Sequence, residues 1–103
     1  MADSDLAFTP AWQLRQLVAE KKVSPVELTE LFLRRIEDLN PRLNAYLTVA
    51  GDQALASARK TEAAVQQGDA LGPLHGVPIG IKDLVATEGI VTTRGSLLFR
   101  DFV

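Results

Sequence analysis

Cysteine is absent from the 103 residues, which excludes disulfides and thiolate metal sites and leaves the redox compartment open. Histidine occurs once, as His75, and no carboxylate stands at helical ligand spacing from it, so no metal site and no cofactor are expected. Positive charge is also scarce: 11 basic side chains face 13 acidic ones, for a net charge of −2. That balance gives no electrostatic case for nucleic acid or an anionic membrane. No apolar run approaches the roughly 20 residues that span a bilayer. The start, Met1-Ala2-Asp3-Ser4-Asp5, is acidic and lacks the basic head and apolar core of a signal peptide. A cytoplasmic protein is the default expectation. Repeats and low-complexity tracts are missing too, and 47% hydrophobic with 23% charged residues is the mix of an ordinary globular chain of one domain at most.

Two familiar site patterns are missing as well. Three residues separate Gly76 from Gly80, and Ile81 intervenes before Lys82. A phosphate-binding loop needs four residues between its glycines and the lysine immediately after. The serines are Ser4, Ser24, Ser57 and Ser96, and none is placed by a motif beside His75, so a serine–histidine triad has no support. His75 reads as a loop residue hydrogen-bonded to backbone.

What is present begins with helices. Residues 1–8 read as a flexible start. Thr9-Pro10 is a cap followed by a first helical residue, and Trp12, Leu14, Leu17 and Val18 recur at roughly helical spacing, predicting a helix over about 10–22 with Trp12 in the core or between helices. Ser24-Pro25-Val26-Glu27 has the form of a capping box. After it, Leu28, Leu31, Phe32, Ile36 and Leu39 form one stripe, while Arg34, Arg35, Glu37 and Asp38 mark a solvated face. Asn40-Pro41 is expected to end this helix. Residues 9–40 are thus a two-helix unit without chemistry of its own.

Leu43 to Val49 alternates in character as a half-buried strand would. Gly51-Asp52 breaks the pattern, Asp52 being a candidate cap, and an alanine-rich helix over about 53–67 ends at Gly68. A loop containing Gly72-Pro73 leads to Val77–Ile81, which reads as a short strand buried on both faces. Strand, helix, strand predicts a βαβ unit over 43–103 with a right-handed crossover. The fold class expected is α/β: N-terminal helices plus a βαβ unit, an incomplete part of a larger mixed sheet with flanking helices. Pro78 is tolerable near the start or edge of such a strand, and Gly76 and Gly80 would let other backbone come close. The apolar finish, Leu97 to Val103, carries no cap or charged tail, and suggests a piece of something larger.

The organising stretch is Leu74-His75-Gly76-Val77-Pro78-Ile79-Gly80-Ile81-Lys82-Asp83, followed by Gly89 and then Thr92-Thr93-Arg94-Gly95-Ser96. This run resembles the start of the amidase signature family, serine hydrolases that cleave non-peptide C–N amide bonds with a Ser–cis-Ser–Lys triad. The resemblance covers most of the chain and is most specific from Leu74 to Ser96. It implies that Lys82 is the catalytic lysine. It further implies that Gly76, Pro78, Asp83, Gly95 and Ser96 shape the site, that Thr92 and Thr93 line it, and that the substrate is a small-molecule amide. The family's two serines belong to a later Gly/Ser-rich segment with no counterpart among these residues, so the 103-residue chain alone is expected to be inactive.

Such chemistry needs a neutral amine, which accepts a proton relayed through a bridging serine. Apolar walls lower a lysine's pKa, whereas a nearby carboxylate opposes that. Asp83 must therefore point away from Lys82 or be engaged in hydrogen bonds. One alternative within the same fold is the A subunit of a tRNA-dependent glutamine amidotransferase, which releases ammonia for a partner. Others are a non-enzymatic truncated binding module, a homodimer among its partners, and a fragment unable to fold.

Overall fold

The computed structural model describes residues 2–103. Among the described residues four α-helices carry the fold: α1 (Asp3–Ala7), α2 (Ala11–Ala19), α3 (Pro25–Leu43) and α4 (Gly51–Gln66), with a 3₁₀ turn at Leu97–Phe99. Leu6, Leu14, Val18, Val23, Leu28, Leu31 and Val65 form the buried cluster, so all four helices contribute to one core. The radius of gyration is 14.8 Å, above the about 13 Å of a compact domain of this length. After α4, residues 67–103 form no further layer of helices or sheet.

The helix signals account for most of this frame. The Glu27 N–H donates to Ser24 Oγ at 3.0 Å and the Ser24 N–H to Glu27 Oε2 at 3.4 Å, completing the capping box at the start of α3. At the far end of α4, Gly68 takes φ +76°, a left-handed conformation that suits glycine after a helix. The start of α2 differs from expectation. Thr9 Oγ1 donates to the Asp5 carbonyl at 2.6 Å and so closes α1, leaving Pro10 as the cap of α2. Asp52 is likewise not a cap; it sits in the first turn of α4, where its charge favours the helix dipole. Trp12 is 63% exposed. Two residues of helix separate it from Leu14 by about 200°, so the two cannot share a face.

Pro41 does not stop α3, which continues to Leu43 and ends where Asn44 adopts φ +49°. A proline this close to the end removes one hydrogen bond of the last turns and leaves the rest intact. The face of α3 expected to be solvated is so: Arg34, Glu37 and Asp38 are exposed, with Arg34 Nη2 reaching Asp3 Oδ2 at 3.1 Å at the surface and the Arg35 guanidinium 5.2 Å over the exposed Phe8 ring.

The expected α/β architecture is not what forms. Among the described residues there is no strand, no sheet and no βαβ unit, only an isolated antiparallel bridge between Thr87 and Ile90. The first strand is lost for a local reason. Its opening residue belongs to α3, and the Asn40 side chain takes both backbone groups of Tyr46: Oδ1 accepts from the Tyr46 N–H and Nδ2 donates to the Tyr46 carbonyl, each at 2.9 Å. Those groups are then unavailable to a ladder. The second strand contains Pro78, which has no N–H to give, and Gly80, which weakens any strand. A lone two-stranded pairing is marginal in any case. Val77 packs against the core, but Ile79 is 78% exposed and Ile81 50%, so this segment is not buried on both faces.

Candidate active site

The helices hold the segment after α4 at several points. Arg15 donates to the carbonyls of Leu71 and Gly72 from α2, and His75 Nε2 meets the Thr61 carbonyl of α4 at 2.9 Å. A carbonyl only accepts, so Nε2 carries the proton; this matches the backbone-bonded role expected of the one histidine. Gly76, at φ +80°, presses on the core: a Cβ there would lie 2.9 Å from Pro25 Cγ and 3.0 Å from Val18 Cγ1. It is a side-chain surface, not other backbone, that needs this glycine. The chain leaves Gly76 in a fixed direction as it enters the Pro78–Asp83 segment.

That segment lines a cleft together with α3, residues 45–50 and parts of the 85–92 stretch. The cleft has a volume of about 490 Å³, within the range of small-molecule pockets. Leu39, Leu43, Ile79 and Ile81 line it with apolar surface, and its ionisable lining groups are Arg35, Tyr46, Lys82 and Asp83. Lys82 is exposed here. Among the described residues no group of three or more His, Asp or Glu side chains gathers as a metal-binding set.

Lys82 and Asp83 are neighbours in sequence, yet they do not pair. The ion pairs among the described residues join Lys22 to Glu20, Arg34 to Asp3 and Arg100 to Asp101. The Asp83 carboxylate is instead occupied by Thr93. The Thr93 N–H donates to Oδ1 at 2.8 Å and its hydroxyl donates to Oδ2. The Asp83 carbonyl also accepts the Arg94 N–H at 3.0 Å. The Thr93 hydroxyl, then the Thr93 backbone, with a smaller share from the Gly95 N–H, hold the Asp83 carboxyl below its ordinary range, against the opposing effect of burial. The result is a carboxylate that stays ionised and is turned toward residues 93–95.

This clamp shapes the loop. Arg94 and Gly95 take φ +54° and +72°, and the Gly95 N–H reaches Thr93 Oγ1 at 3.1 Å. Ser96 caps the 3₁₀ turn through its hydroxyl, which accepts the Leu98 N–H at 3.2 Å. The Arg94 guanidinium lies 5.0 Å from the Phe99 centroid and 5.8 Å from that of Phe102. Thr92 is buried and donates its N–H to the Phe102 carbonyl at 2.9 Å. The apolar finish of the chain thus folds back on the loop.

Of the expected site residues, Pro78, Lys82, Asp83 and Thr92 line the cleft, whereas Gly76, Thr93, Gly95 and Ser96 stand outside its lining and act on the backbone around it. Two contributors had no sequence signal. Tyr46 lies so close to Gly80 that a Cβ at position 80 would be 2.8 Å from its hydroxyl, and Asn40 fixes Tyr46. The only hint at Asn40 was its place before Pro41, which pointed to a helix end.

Comparison with known proteins gives this geometry a context. The amidase family model matches residues 27–103. Several relatives are named as the A subunit of glutamyl-tRNA(Gln) amidotransferase. One, from Azoarcus sp. (strain BH72), is 48% identical over 91 residues, which are 88% of this chain and 18% of that protein. Those from Desulforamulus reducens and Bdellovibrio bacteriovorus are 39% and 40% identical over 99 residues, 96% of this chain and 20% of theirs. The chain therefore spans about a fifth of the length of the curated relatives it matches. No solved structure matches it. Among the described residues no helix is long and apolar enough to cross a membrane.

Proposed function

The chain belongs to the amidase family, and on that footing we propose that it supplies the lysine-bearing part of the A subunit of a glutamyl-tRNA(Gln) amidotransferase. The observation that carries this reading is the relatives' shared name over nearly the whole chain. It is preferred to an amidase that acts on simple amides without partners. In this role the protein takes the amide nitrogen of glutamine as ammonia and passes it to partner subunits.

Lys82 is the base. Its neutral amine accepts the proton of a serine nucleophile through a second, bridging serine; the nucleophile attacks the amide carbonyl, and backbone N–H groups hold the oxyanion. Loss of ammonia leaves an acyl-enzyme, which water then cleaves to the carboxylate. Both serines lie outside these 103 residues, so the chain contributes the base and one wall of the pocket. A neutral lysine needs apolar surroundings; Lys82 is exposed in this structure, so in this reading its cover comes from outside these 103 residues.

The test is a chimera in which this chain replaces the matching fifth of the Azoarcus relative, assembled with that protein's partner subunits. Glutamine-driven amidation of glutamyl-tRNA(Gln) is expected. Hydrolysis of simple amides with no glutamine-driven amidation would contradict the reading and favour the free-standing amidase.

A further inference from the structure

We infer that Thr93 is a positioning residue that holds the Asp83 carboxylate off the Lys82 amine. This rests on the reading of Lys82 as a base. A lysine followed directly by an aspartate is otherwise a poor arrangement for a base, because an opposite charge within a few ångströms stabilises the ammonium. The structure resolves the conflict by orientation. Both Asp83 carboxylate oxygens are committed to Thr93, one through its N–H and one through its hydroxyl, and Asp83 has no ion pair with Lys82.

Two arginines stand nearby, and neither pairs with the Asp83 carboxylate. From α3, Arg35 lines the cleft; from the 45–50 segment, Tyr46 does; Lys82 and Asp83 complete its ionisable lining. Arg94, on the clamped loop, turns its guanidinium to the Phe99 and Phe102 rings and meets Asp83 through backbone only. With the Thr93 hydroxyl removed, one carboxylate oxygen loses its donor, and the cation nearest in sequence is Lys82. An aspartate is ionised near neutral pH even without any shift, so protonation does not remove its charge there. Orientation is the available device.

The experiment reads the amine itself and needs no turnover. Lysines of the 103-residue chain are ¹³C-methylated and titrated by NMR through about pH 9–12, with Lys82→Arg assigning the resonance. Thr93→Val is expected to raise the Lys82 midpoint by about half a pH unit, the scale of an exposed ion pair. Thr93→Ser keeps the hydroxyl and leaves the midpoint at the native value. Asp83→Asn lowers it by clearly less than that rise, since the native carboxylate faces elsewhere and acts only at a distance, and Thr93→Val in the Asp83→Asn background produces no rise. A fall in the midpoint on Asp83→Asn alone as large as the rise on Thr93→Val would overturn the proposal, as would a Thr93→Val midpoint unchanged from native. The Asp83→Asn arm decides the matter even where Thr93→Val loosens the loop. An inactive chimera would defeat the proposed function without moving any of these midpoints, so the two failures are distinguishable.

Discussion

The Tyr46 phenol rests against the backbone at Gly80, so close that a single added methyl group would sit 2.8 Å from its hydroxyl oxygen and 3.4 Å from two ring carbons. A side chain from just beyond the end of α3 thereby fixes the chain two residues before Lys82. The contact joins the end of α3 to the segment that carries Lys82, the proposed base.

Gly80→Ala is expected to destabilise the fold by about 0.5–1 kcal/mol, a surface-scale loss, because Gly80 is exposed and the obstacle is the tip of a partly exposed side chain. Tyr46→Phe removes the oxygen at 2.8 Å and leaves only contacts at 3.4 Å, so the double variant should recover most of the loss. Urea unfolding of the four proteins checks this; equal losses for Gly80→Ala with and without Tyr46→Phe would show that the phenol is not the obstacle.

Asn40→Ala removes both side-chain hydrogen bonds to Tyr46. On exposed groups two such bonds are worth about 1–2 kcal/mol together. The same variant frees the Tyr46 N–H, so its amide hydrogen exchange should accelerate well beyond the global change.

Gly76→Ala combines a φ of +80° with contacts at 2.9 and 3.0 Å to Pro25 and Val18. A loss of about 2 kcal/mol or more follows from backbone strain with steric overlap. Thermal unfolding reads it directly. Gly95→Ala has a similar φ but open space around its Cβ, and should lose clearly less.

Asp83 gives the clamp a pH dependence. Its folded pKa is depressed, so its contribution is fully present above the unfolded carboxylate value of about 4 and is lost as pH falls through the lower folded value. The stability difference between native chain and Asp83→Asn should therefore be constant near neutrality and shrink in acid. Urea titrations at neutral pH and below about pH 4 test the sign.

The helices were legible because their signals are local: the Ser24–Glu27 box and Gly68 mark ends that the folded chain respects. The strands were not, since alternation from Leu43 to Val49 describes an extended segment as well as a paired one, and pairing depends on partners elsewhere. There the Asn40 amide takes the groups a neighbouring strand would have used. Trp12 misled because it was grouped with Leu14, which lies about 200° away around the helix. At the site, the tension between Lys82 and Asp83 could be read from their adjacency, and so could the need for a hydrogen-bonded arrangement. That Thr93 provides it depends on a turn ten residues on, where Arg94 and Gly95 take positive φ.

The role of Lys82 is tested most directly by ammonia release from glutamine, measured on the Azoarcus chimera and its Lys82→Ala variant. Loss of a positioned base predicts a fall of about 10²–10⁴-fold, with amidation driven by added ammonium left intact because that route bypasses glutamine hydrolysis. Ammonia release that survives Lys82→Ala within a few-fold would contradict the account.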